Sequence, residues 1–132
     1  MDFRTIQAVE LAGGVGILTL NRPERRNALS VEMRREIMTC LERWRESPTV
    51  GVMIITGAGE AFTAGFDLTE FSRPELYSEI FETSSAYHRE LWNFPKPTIA
   101  AVNGPALAGG FDLAKLCDIR ICSPKAVFGH PE

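Results

Sequence analysis

The segment that most restricts the fold is Val50-Gly51-Val52-Met53-Ile54-Ile55-Thr56, a short and almost wholly apolar run closed by Gly57-Ala58-Gly59. It lacks the in-out alternation of a strand with one wet face. It therefore predicts a strand buried on both faces, the kind that fills parallel sheets covered by helices. Thr98 to Val102 predicts a second strand of this type. Strands of that kind need amphipathic helices beside them, and the flanking sequence supplies two.

Ser30 is a good N-cap, and Met33, Ile37, Met38, Leu41 and Trp44 follow at helical spacing with charges between them. That helix is expected to end near Ser47-Pro48, because the residue before proline avoids the α region. Ser72-Arg73-Pro74-Glu75 is expected to open a second long helix, with Leu76, Ile80, Tyr87, Leu91 and Trp92 as its apolar stripe and Phe94-Pro95-Lys96-Pro97 as its stop. Upstream, Ile6 and Ala8 lead to Gly13-Gly14 and then to Val15 through Leu20, a hairpin signal ended by Asn21-Arg22-Pro23-Glu24. Downstream, Asn103-Gly104-Pro105 turns the chain, Phe111 to Leu116 reads as a short helix, and Asp118 to Cys122 as a further strand. Strand and helix alternate, the α/β rhythm.

Composition narrows the function. The chain has 132 residues, 45% hydrophobic and 23% charged, which fits one domain. A net charge of −3 gives no basic footprint for nucleic acid. No apolar run approaches the ~18 residues that cross a bilayer. Cys40, Cys117 and Cys122 are widely spaced and odd in number. They read as reduced thiols in a cytoplasmic setting, with Cys117 and Cys122 as small buried residues of a strand region and no metal site. The chain stops after a strand-like segment in mid-pattern, at Phe128-Gly129-His130-Pro131-Glu132, which reads as part of a longer enzyme.

Two segments share one design. In Gly57 to Leu68 and in Asn103 to Leu113, a buried strand runs into small residues and then into the start of a helix. Small residues allow close approach to the backbone, and the first amides of a helix have no intrahelical acceptor. Two such amides aimed at one point would make an oxyanion hole. Tight packing or nucleotide binding fits such turns too, although neither a Walker A ending nor a spaced dinucleotide fingerprint is present.

Four segments, in order, resemble the crotonase (enoyl-CoA hydratase/isomerase) family. Asn21-Arg22-Pro23-Glu24-Arg25-Arg26-Asn27-Ala28-Leu29-Ser30 is similar to its opening motif. Ala61-Phe62-Thr63-Ala64-Gly65-Phe66-Asp67-Leu68 is similar to its first oxyanion segment. Lys96 through Arg120 resembles its signature block, and Phe128 through Glu132 the segment with a second acid.

The resemblance implies an α/β fold, a spiral of ββα repeats that stops here before the C-terminal helices, with residues 1–132 as a single domain forming the N-terminal part of a longer fold. It implies an acyl-CoA thioester substrate and no covalently bound cofactor, coenzyme A entering as part of the substrate. The oxyanion hole falls on the amides of Phe66 and Gly109, each worth ~3–4 kcal/mol to the thioester enolate by analogy with other acyl-transfer sites. Asp112 and Glu132 become the acid/base pair. Arg25 and Arg26 become contacts for CoA phosphate, with a solvated charge cluster as the alternative. Ala28, Ala64, Asp67, Leu68 and Gly110 would line the CoA path or its turn, mostly through main chain. His88 and His130 are given no part. A homotrimer or hexamer is implied for a full-length chain, without nucleic acid or membrane.

Two departures from the family pattern matter. Asp112 stands where hydratases carry Glu, which withdraws the carboxylate by roughly one ångström. Ala108 stands where many members have a third glycine. Enoyl-CoA hydration is the first expectation, enoyl- or dienoyl-CoA double-bond isomerisation the second. An inactive acyl-CoA-binding remnant is the reading from a different class.

Overall fold

A computed structural model describes residues 2–131 of the chain. The hairpin forms as expected: β1 (Ile6–Leu11) pairs antiparallel with β2 (Val15–Leu20), and Gly13 and Gly14 take φ of 94° and 88° in the turn between them. The next strands are β3 (Val52–Gly57), β4 (Thr98–Val102), β5 (Pro105–Leu107), β6 (Ile119–Cys122) and β7 (Val127–Gly129). The main sheet has the order β1-β2-β3-β4-β6, parallel from β2 onward. The helices are α1 (Val31–Glu46), α2 (Tyr77–Trp92) and α3 (Gly109–Leu116).

Helix α1 starts where Ser30 Oγ accepts from the Met33 amide at 3.1 Å. At its other end Lys96 Nζ donates to the carbonyls of Trp44, Ser47 and Val50. A single cation thereby closes the helix and ties it to the segment leading into β4. Leu18, Leu20, Met53, Ile55, Ala100 and Val102, from one face of the sheet, share a core with Ile37, Leu41 and Trp44 of α1 and Leu91 of α2.

Four expectations are corrected. β3 and β4 are not buried on both faces. Their residues alternate between buried and half-buried, because both long helices pack on the same side. On the edge strands the opposite face leaves Val9, Leu11, Ile119 and Ile121 exposed. Cys122 lies on that exposed edge, whereas Cys117 is buried. The second long helix begins at Tyr77. Ser72-Arg73-Pro74 instead ends one 3₁₀ turn (Leu68–Ser72) and begins another (Pro74–Leu76). Pro105 opens β5 in place of a turn, and β5 pairs in parallel with β7 to make a second, two-stranded sheet.

Candidate active site

The opening motif is a hydrogen-bonded frame. Asn27 is fully buried with φ of 56°, in the left-handed region that Asn tolerates better than most residues. Its Oδ1 accepts from the Arg22 amide at 2.8 Å. Its Nδ2 donates to the carbonyls of Ala58 and Ala61 at 2.9 Å and Phe62 at 3.2 Å. One side chain therefore fastens the motif to the loop after β3. Arg22 in turn donates to Ala28 O at 2.8 Å and pairs with Asp67 at 3.3 Å.

This frame fixes the direction of the Phe66 amide. The Leu29 amide donates to Gly65 O at 2.8 Å, and the Asp67 amide donates to Leu29 O at 3.3 Å. In a trans peptide the carbonyl and N–H point in opposite directions. Since Gly65 O faces Leu29, the Phe66 N–H faces away from it. Gly65 itself has φ of 105°, a conformation that disfavours any side chain.

The second turn arrives from the opposite side. Thr63 O accepts from the Leu107 amide at 3.1 Å, and Ala108 N–H donates to Gly129 O at 2.8 Å. Ala108 O accepts from the Asp112 amide at 3.1 Å, so this carbonyl points along α3. By the same trans geometry the Gly109 N–H projects out of the helix start. Ala108 carries the cost of this turn, with φ of 51° and ψ of −117°.

The two turns touch. A Cβ built on Gly109 would sit 2.9 Å from Phe66 Cδ1 and 3.7 Å from the Phe66 nitrogen. A Cβ on Gly65 would lie 3.3 Å from the Gly109 nitrogen. Among the described residues, neither the Phe66 nor the Gly109 amide donates to a protein acceptor through the turn and cap hydrogen bonds. Two adjacent amides without acceptors can receive one anionic oxygen.

Asp112 lies in the first turn of α3, with its side chain 39% exposed. Lys115 Nζ and His130 Nε2 each stand 3.4 Å from its Oδ1. His130, given no part by the sequence reading, is also held against the Phe111 ring at 5.1 Å between centroids. Phe111 is half-buried and packs on Phe128, so it joins α3 to β7. Glu132, the second acid of the sequence reading, lies outside the described residues.

The other predicted contacts divide. Arg26 and Ala64 line a cavity of about 370 Å³ with Glu60, Ala61, Pro105, Leu107 and Lys125. Lys125 is a second cation there, and nothing in its sequence surroundings marked it. Arg25 is exposed and Ala28 half-buried, and neither lines this cavity. Leu68 is 79% exposed, outside the cavity. Asp67 is turned inward. Burial raises its carboxyl, but hydrogen bonds from Thr69 and the Arg22 charge outweigh this and hold it below the usual carboxylate range. Gly110 is set by packing: a Cβ there would come within 2.2 Å of Thr63 O.

Residues 10–132 match the family model described as enoyl-CoA hydratase/isomerase. The chain belongs to the enoyl-CoA hydratase/isomerase family. It is 44% identical over 131 residues to a hydroxycinnamoyl-CoA hydratase-lyase of Pseudomonas fluorescens, covering 94% of this chain and 48% of the relative. It is 46% identical over 123 residues to a probable mitochondrial enoyl-CoA hydratase of Dictyostelium discoideum, covering 93% and 44%. The crystal structure of an enoyl-CoA hydratase/isomerase from Xanthobacter autotrophicus Py2 superposes with a TM-score of 0.92 at 40% identity, over 99% of this chain and 50% of that one. The α/β architecture is thus that of crotonase structures. The chain spans about half the length of the relatives it matches.

Proposed function

We propose that the chain carries the thioester-activating part of an enzyme acting on enoyl-CoA substrates. The observation that carries this reading is the contact between the two turns, where the unpaired amides of Phe66 and Gly109 lie side by side. A thioester oxygen seated between them would accept two hydrogen bonds that strengthen as it becomes an enolate. Each would contribute on the order of 3–4 kcal/mol to the transition state. The cavity bearing Arg26 and Lys125 fits the phosphates of coenzyme A, while Arg25, Ala28, Asp67 and Leu68 remain proposed contacts of the CoA path.

In this reading Asp112 and Glu132 move the proton. With a water between them, one carboxylate accepts its proton while the oxygen adds to Cβ and the other acid protonates Cα, which is hydration. Without a water the same pair carries a proton from one carbon to another, which is double-bond isomerisation. That second reading is favoured by one feature: Asp112 is one methylene shorter than the Glu of hydratases, which shortens its reach to a water. Cytoplasmic location, a place in fatty acid metabolism and a trimer or hexamer of the full-length protein belong to the proposal as well.

Two substrates separate the readings. Crotonyl-CoA loses its conjugated absorbance on hydration, whereas a 3,5-dienoyl-CoA shifts its absorbance on isomerisation. Hydration is expected with the first. Turnover of the dienoyl substrate alone would replace hydration by isomerisation, and CoA binding with no turnover of either would leave an acyl-CoA-binding remnant.

A further inference from the structure

Arg34, on α1, is fully buried, yet among the described residues no carboxylate forms an ion pair with it. Burial lowers its pKa, opposed in part by the charges of surrounding groups. Its Nε donates to Thr83 Oγ1 at 3.0 Å, Nη1 to Leu29 O at 2.6 Å and Nη2 to Ile80 O at 3.4 Å. Its guanidinium also lies over the Phe66 ring, 4.4 Å from the centroid.

Stability does not explain an unpaired buried cation, since an apolar residue of similar volume is often neutral or better. Its three acceptors do not need it. Leu29 O also receives the Asp67 amide, the Thr83 hydroxyl bonds Glu79 O at 2.7 Å, and Ile80 O belongs to the α2 ladder. What the arginine alone provides is a grip on residue 66. Its Nη1 holds the carbonyl of Leu29, the residue that brackets Phe66 through Gly65 O and the Asp67 amide. Its face meanwhile holds the ring, and cation–ring contacts strengthen on desolvation.

We propose that Arg34 is a positioning residue for the Phe66 amide, fixing backbone and ring together so that this N–H stays beside Gly109. The proposal rests on the oxyanion reading above. Small displacements of a donor weaken catalysis steeply, so such a grip would matter more than its own energy.

The test is ¹⁵N relaxation and amide-shift mapping on the whole chain, with and without crotonyl-CoA. In the ligand-free wild type the Phe66 amide is expected near a rigid order parameter of ~0.85, falling toward ~0.6 in Arg34→Met while Gly109 and the helices keep their values. Crotonyl-CoA is then expected to move both amides in the wild type and only Gly109 in the variant. An unchanged order parameter and shift at Phe66 would overturn the proposal. Should Arg34→Met not fold, Arg34→Lys keeps charge and length but loses the planar fork. Loosening confined to residues around Phe66 supports the proposal, and uniform loosening of the chain overturns it. If crotonyl-CoA moves neither amide in the wild type while Arg34→Met still frees Phe66, the grip stands and the oxyanion reading falls.

Discussion

Gly109 packs against the ring of Phe66, so closely that a Cβ on Gly109 would meet Phe66 Cδ1 at 2.9 Å and Cε1 at 3.0 Å. The two residues come from separate strand-to-helix turns, and each offers a main-chain donor. Replacing the Phe66 side chain keeps its N–H, which Leu29 still brackets through the main chain, whereas a methyl at Gly109 collides with the Phe66 ring and pushes the two turns apart. Gly109→Ala is therefore expected to lower kcat/KM by about 10²–10³, the size of one lost oxyanion donor. Phe66→Ala is expected to cost about tenfold or less. Steady-state kinetics on crotonyl-CoA compares them, and equal losses would contradict a main-chain role for residue 66.

Ala108 stores strain that a glycine would release. Its φ of 51° and ψ of −117° fall where an L side chain is disfavoured by about 1–3 kcal/mol. A glycine there adds about 0.4–1 kcal/mol of unfolded-chain entropy. The balance favours Ala108→Gly by about 1 kcal/mol. Urea denaturation measures it, with a raised midpoint and an unchanged slope expected.

Asp67 makes the frame acid-sensitive. Its carboxylate accepts from the Thr69 amide at 3.0 Å and the Thr69 hydroxyl at 2.6 Å, and it pairs with Arg22 at 3.3 Å. Its folded-state pKa lies below the unfolded value of about 3.9. Its contribution is therefore complete above that value and is lost as pH falls through the lower, folded one. Asp67→Asn is expected to be less stable than wild type at neutral pH, with the gap narrowing only below pH ~3.9. A gap independent of pH would mean that the charge has no part.

The three thiols are expected to react unequally. Cys122 is exposed, whereas burial raises Cys40 to about 12 and Cys117 to about 11. Thiolate is the reactive form, so a disulfide reagent at neutral pH should titrate one thiol in the native chain and all three in denaturant. Fast reaction of two native thiols would contradict the packing of α1 or α3.

Local signals located most of this fold. Ser30 and the apolar spacing from Met33 to Trp44 define α1, and Gly13-Gly14 defines the hairpin, because caps and turns depend on adjacent residues. What escaped depends on distant partners. β5 and β7 are three residues each and pair with one another, with β5 also bridged to Thr63. β3 was expected to be covered on both faces because an apolar run does not say on which side the helices pack. Arg34 is, in sequence, one of the charges between the apolar positions of α1, since only the fold brings Leu29, Phe66 and Thr83 around it. The glycines of the two turns were legible as close approaches. That they approach one another was not legible from either segment alone.

In the proposed function the Phe66 and Gly109 amides polarise a thioester oxygen. Infrared difference spectroscopy of crotonyl-CoA labelled with ¹³C at the thioester carbonyl tests it without requiring turnover. Binding is expected to shift the carbonyl stretch to lower frequency, and Gly109→Ala is expected to abolish most of that shift while CoA is still bound. A bound thioester whose carbonyl stretch matches that in water, or a shift that survives Gly109→Ala, would contradict the account.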